Sequence, residues 1–181
     1  MAVVATYLAF LRAINLGPTR KFPKDDLRGA IEAAGFEGVE THTASGNVRF
    51  DTRMRSRARI EEALERQFRA DRGFDVPTVA FSAAEFADLA DRAQQIHEAH
   101  PGVARHYVYL LKDELGASAK NAVEATSTDE GRMLVAGRAA HALLAPGYQA
   151  GKVDPLGAAN LLGVATSRNV DVVTTLARKW C

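Results

Sequence analysis

The order in which hydrophobic periods alternate constrains this chain most, because the same order runs through it twice. Val4 to Ile14 (VATYLAFLRAI) is apolar at nearly every position, the pattern of a strand buried on both faces. Pro23 to Ala34 then sets Leu27, Ile31 and Ala34 on one stripe. Pro23, Asp25 and Asp26 open it and Gly35 follows it, so start, dipole and stop signals agree on a helix. Val39 to Ala44 and Val48 to Asp51 are short strands around a hairpin turn of Ser45, Gly46 and Asn47. A helix over Arg57 to Asp71, a strand over Val76 to Phe81 and a helix over Ala83 to His97, capped by Ser82, complete the first pass. The order then restarts. Strand Arg105 to Lys112, helix Ser118 to Ala125, strands Arg132 to Val135 and Ala139 to Leu144, helix Leu156 to Leu162, strand Val164 to Ser167 and helix Val170 to Trp180 follow in turn.

Strand, helix, strand, strand, helix, strand is the split βαβ plait. The expected fold is therefore α+β, with two ferredoxin-like βαββαβ halves from an internal structural repeat, each followed by an extra helix. The halves span residues 1–100 and 101–181, and they could close into one compact domain. With Lys plus Arg at 23 and Asp plus Glu at 22, the net charge of +1 gives no general attraction to nucleic acid or an anionic membrane. Any anion site must be local. Cys181 is the only cysteine, which excludes an internal disulfide and a cysteine metal cluster and points to a reducing, cytoplasmic setting. The apolar run from Ala2 to Leu11 is too short for a bilayer span of about 20 residues and reads as a strand.

Plait topology groups residues that are far apart in sequence. The third strand runs antiparallel between the first two, so the loop after strand one and the hairpin between strands two and three emerge at one edge. That places Arg12, Asn15, Arg20 and Lys21 near Ser45 and Asn47. In the second half, the loop after strand three and the end of strand four share an edge, which brings Tyr148 and Lys152 towards Thr166, Arg168 and Asn169. A helix start directly after a strand offers free amides to an anion, and Arg168 could add a bidentate contact. The plain alternatives are turn chemistry for Ser45 and Asn47 and an N-cap for Asn169.

Other motifs fail on spacing. Gly147 to Lys152 lacks the first glycine and the final hydroxyl of a Walker loop. His97 and His100 in HEAH are three apart where a zinc-protease helix needs four, so a solvated helix end is expected. Arg53, Arg55, Arg57 and Arg59 precede Glu61, Glu62 and Glu65, the composition of an internally paired helix start.

LRAIN with Gly17, SGNVRF (Ser45 to Phe50), APGYQAGK (Ala145 to Lys152) and ATSRN (Ala165 to Asn169) stand in the order seen in the domain-of-unknown-function 1697 family, which this chain resembles from its first strand to its last helix. The resemblance implies two plait-like halves and no established activity. It also marks departures. The family usually has Gly where Ala13 stands and a second Gly where Pro18 stands, and it tends to have Trp, Asn and Thr in the run of Val170, Asp171 and Val172. The expected function is binding of a small anionic, phosphate-bearing ligand through loops at strand ends. The competing reading is a nucleic-acid or protein interaction module without catalysis. A small anion is the expected partner, nucleic acid and membrane are not, and no cofactor or metal is expected.

Overall fold

The computed structural model describes residues 2–152 and 154–181. Its elements run β1 (Ala5–Leu11), α1 (Lys24–Ala33), β2 (Glu37–His42), β3 (Asn47–Thr52), α2 (Arg57–Arg72), β4 (Thr78–Ser82), α3 (Ala83–Ala99), β5 (Arg105–Leu111), α4 (Ala117–Glu124), β6 (Gly131–Ala136), β7 (Ala139–Leu144), β8 (Ala165–Asn169) and α5 (Val170–Trp180). The strands form two four-stranded antiparallel sheets, ordered β2-β3-β1-β4 and β6-β7-β5-β8. The fold is α+β, with the plait pattern present twice. Two compact units divide the chain inside α3: one runs to Phe86 and takes in Trp180, the other runs from Ala87 to Lys179 and takes in Cys181.

In the first unit the pleat of β1 sends Tyr7, Ala9 and Leu11 to the face covered by α1 and α2. There they join Phe50, Ile60, Leu64 and Phe68, and Phe22 meets Phe68 edge to face at 5.2 Å between centroids. The opposite face carries Leu8 and Phe10 with Phe81 and Phe86; the Phe10 and Phe86 rings lie 5.1 Å apart. Because Tyr7 to Leu11 are all buried, the apolar run becomes a strand covered on both sides. Each fully buried side chain of this size is worth about 1.5–3 kcal/mol. Ser56 caps α2 by accepting from the Arg59 amide, and Gly73 ends it at φ 77°, a left-handed conformation that glycine adopts without strain.

The second unit differs from the sequence reading in one element. Instead of a helix over Leu156 to Leu162 it has a single 3₁₀ turn, Ala159–Leu161. The Asp154 carboxylate takes the amides of Ala158 and Ala159, and Gly157 and Gly163 bracket the turn at φ 70° and 66°. These left-handed residues prevent α-helix from extending in either direction. Around this turn, Leu111, Val123, Met133, Leu144, Leu156 and Leu162 form an apolar cluster, with Tyr107 and Tyr109 packed against it. No helix among the described residues is long and apolar enough to cross a membrane.

Candidate functional site

At the first sheet's edge, the β1–α1 loop and the β2–β3 turn do meet. The Leu11 amide donates to the Gly46 carbonyl at 2.9 Å. A Cβ at Gly46 would lie 2.7 Å from Leu11 Cβ and 3.0 Å from Ile14 Cδ1, so the approach requires glycine. Asn15 clamps the loop. Its Nδ2 donates to the carbonyls of Phe22 (3.0 Å) and Ala44 (2.8 Å), and its Oδ1 accepts from the Phe22 amide (2.8 Å). Arg20 donates through Nε to the Ala13 carbonyl (2.6 Å) and through a terminal nitrogen to Asp75 O (2.7 Å), and lies over the Phe74 ring. Asn47 is buried and donates to His42 O and Thr43 Oγ1.

Asn15, Arg20 and Asn47 therefore hold backbone. Arg12, Lys21 and Ser45 are exposed at the same edge. Ala13 and Asn15 both have φ 56° and Thr43 has φ 59°, left-handed conformations that L-residues adopt at a cost. A glycine at position 13 would adopt this backbone without that cost.

The second cluster is divided by the pleat of β8. Arg105 pairs with Leu144 and Tyr107 with Asn169, so the ends of β7 and β8 share an edge. Thr166 and Arg168 sit on the sheet face of Val108, whereas Asn169 sits on the other. Arg168 is 9% exposed and donates to Thr166 Oγ1 (2.8 Å) and Ser167 O (2.9 Å); burial lowers its pKa to about 10. Asn169 caps α5 by accepting from the Asp171 amide at 3.0 Å. Tyr148 packs on the apolar cluster and hydrogen-bonds Arg105, which raises the pKa of that guanidinium. Lys152 is exposed.

The arginine row behaves as an internally paired helix start at Arg57, which meets the buried Glu61 carboxylate at 2.6 Å. Glu61 also takes the Ala80 amide, and Glu65 takes that of Thr78.

One cluster was not legible from motif spacing. His106 on β5 and His141 on β7 are each 1% exposed, with His106 Nε2 2.9 Å from His141 Nδ1. On its other side His106 Nδ1 lies 3.3 Å from Nδ1 of His97, on α3. Burial, then the neighbouring imidazoles, push the His106 pKa down to about 3; burial, then Arg92, push that of His141 down to about 4. The available signal was a histidine at an inward position of each of two apolar strands. Among the described residues no group of three or more His, Cys, Asp or Glu side chains is placed to hold a metal ion. The two His106 nitrogens face opposite neighbours, so the three rings do not converge on a point.

The family model for a protein of unknown function, DUF1697, matches residues 4–141. The chain belongs to this family. The conserved bacterial protein SP0830 from Streptococcus pneumoniae has a similar structure, with a TM-score of 0.73 and 20% identity, over 97% of this chain and 98% of that one. That likeness extends the shared fold through β8 and α5, beyond the family match. No curated protein matches the chain.

Proposed function

We infer that the chain binds a small anionic molecule, such as a phosphate-bearing metabolite, at the edge formed by the β1–α1 loop and the β2–β3 turn. The observation that carries this reading is the division of labour in that loop. Asn15 and Arg20 hold its backbone in a costly left-handed form, while Arg12 and Lys21 keep exposed cations beside it. Strained backbone persists where surrounding structure enforces it, and such places concentrate at ligand sites. A preorganised loop loses less entropy on binding than a mobile one. The second edge supports the reading less, because Arg168 and Thr166 are buried against each other and Asn169 is occupied as a cap; Tyr148 and Lys152 remain as weaker candidates there. The lone, unpaired Cys181 suits a cytoplasmic setting.

Titration of the isotope-labelled chain with pyrophosphate tests the site. Saturable amide shifts are expected within residues 12–22 and 43–47, with affinity weakened about tenfold or more by Arg12→Ala combined with Lys21→Ala, since each charged hydrogen bond is worth about 1.5–3 kcal/mol. Absence of saturation, or shifts confined to other residues, overturns the reading. Tighter binding of a single-stranded oligonucleotide than of pyrophosphate would favour an interaction module instead.

A further inference from the structure

The His97, His106 and His141 rings all lie in the second unit and are joined end to end by two nitrogen–nitrogen contacts, at 3.3 and 2.9 Å. Each contact uses one hydrogen, carried by one nitrogen of the pair and accepted by the other. Beyond the two contacts only His97 Nε2 and His141 Nε2 remain, so the intact chain has places for four protons. Three neutral imidazoles bring three. One excess proton is therefore accommodated with both contacts kept, whichever ring carries the charge. A fifth proton has no free nitrogen. It must occupy a lone pair that is already accepting, which sets two N–H groups against each other and breaks a contact.

The surroundings give a second charge no help. The titratable and charged groups around the chain are Arg92 on α3 and His100 just beyond its end, with Arg168 on β8 and Arg132 on β6 on the same sheet face. His100 donates from Nδ1 to the Ile96 carbonyl. The buried residues of α5 in this unit are Val170, Val173 and Leu176, all apolar. Of the acids of α3, Asp88, Asp91 and Glu98 are exposed, Glu98 accepts from Gln94, and Glu85 lies in the first turn, which belongs to the first unit. Among the described residues no carboxylate bonds any of the three rings, so each further cation meets only like charge and low dielectric.

We propose that the His97–His106–His141 chain is an acid-operated latch in the second unit, holding the Ala87–Ala99 part of α3 to the sheet with up to one excess proton and releasing it when a second arrives. Because release requires that second proton at a buried site, opening is steeper in pH than the titration of one exposed histidine. The latch responds to the medium alone and does not depend on the anion reading of the first unit.

Imidazole nitrogen shifts and backbone amides of the full chain, followed together from pH 7.5 downward, decide the matter. The expected result is that His106 and His141 remain neutral until the native amide signals of β5, β7 and the second half of α3 disappear, and that ring charging and signal loss coincide. A native, fully dispersed spectrum in which either ring has become imidazolium overturns the proposal. His106→Leu combined with His141→Leu should move the acid midpoint of these signals lower by about half a pH unit or more, since two groups that take up protons on opening are gone. If that variant folds and keeps the wild-type midpoint, the proposal also falls; if it does not fold, the wild-type titration still decides.

Discussion

The two units pair their strands in the same register, and the sheet faces opposite α1–α2 and α4 differ at matched positions. Tyr7 pairs with Ser82, and Tyr107 with Asn169, the last residues of β4 and β8. Thr6 therefore matches His106, Arg49 matches His141, and Phe81 matches Arg168. In the first unit Thr6 donates to Asp51 at 2.7 Å and Arg49 pairs with the same carboxylate at 3.0 Å, a network that carries its own counter-charge and is partly exposed. The matched positions in the second unit hold two imidazoles out of solvent, with Leu143 where Asp51 would stand. One backbone plan thus accepts either a neutralised ion pair or an uncharged hydrogen-bonded chain. The plan demands only that each buried polar group find a partner; which chemistry supplies it is open to the sequence.

Exchanging matched residues is the harshest test of that equivalence. Phe81→Arg places the second unit's cation at the first unit's position, where the Phe10 and Phe86 rings offer no acceptor. The expected loss is about 4 kcal/mol or more in urea-induced unfolding, from an unpaired buried charge and lost aromatic packing. A loss below about 2 kcal/mol would mean that this face is wetter than its burial indicates.

Acidification separates the two networks without mutation. His106 and His141 have folded-state values near 3 and 4, below the ordinary 6.5, so the unfolded chain binds more protons between these limits. Their contribution is complete above pH 6.5 and is lost as pH falls towards 4 and then 3. Over that window stability should drop by at least about 3 kcal/mol, counting about 1.36 kcal/mol per pKa unit and discounting for coupling between the rings. Chemical denaturation at stepped pH measures it, and a flat profile between pH 6.5 and 4.5 contradicts it. In hydrogen exchange at pH 5, the amides of β5 and β7 should lose more protection than those of β1 and β3.

Much of this comparison was legible in the sequence. Period-two and period-3.6 runs located every strand and all five α-helices to within a few residues, because the patterns are long and caps such as Ser82 and Asn169 are explicit. The turn at 159–161 was misread because its apolar spacing mimics a helix, while the left-handed glycines that bound it, Gly157 and Gly163, leave that spacing untouched. The meeting of Asn15 with the hairpin followed from topology. The histidine chain did not, since it joins β7 to β5 and α3 through registers that no local spacing encodes. Arg168 was read as a loop residue. Extension of β8 to Asn169 instead gives it a pleated position, and the pleat turns it into the covered face.

Arg168 itself distinguishes a cation that is needed from one that is tolerated. Arg168→Ala removes its bonds to Thr166 and Ser167 and opens a void, at an expected cost of about 2–3 kcal/mol. Arg168→Met fills much of the same volume without charge and should recover most of that loss, because well-packed apolar replacements of buried charges are often neutral. If Met is as damaging as Ala in thermal denaturation, the guanidinium is required for its hydrogen bonds rather than its bulk.

The smallest effect contrasts the connections that leave the matched strands β1 and β5. Residues 12–23 include Ala13 at φ 56°, whereas none of residues 112–116 has a positive φ. A left-handed L-residue costs about 1–2 kcal/mol, and a glycine there relieves that strain while adding about 0.5–1 kcal/mol of unfolded-chain entropy. Ala13→Gly should therefore stabilise the protein by about 0.5 kcal/mol, a rise in Tm of about 1–2 °C at this size. Glu114→Gly, in the second unit's exposed connection, has no strain to relieve and should lower stability by about 0.5–1 kcal/mol. Opposite signs for the two glycines in parallel melts would establish that the first connection is held in its shape by Asn15 and Arg20 against the preference of its own backbone. Equal signs would mean that Ala13 relaxes out of the left-handed region in solution, and the preorganised cradle between Arg12 and Lys21 would lose its basis.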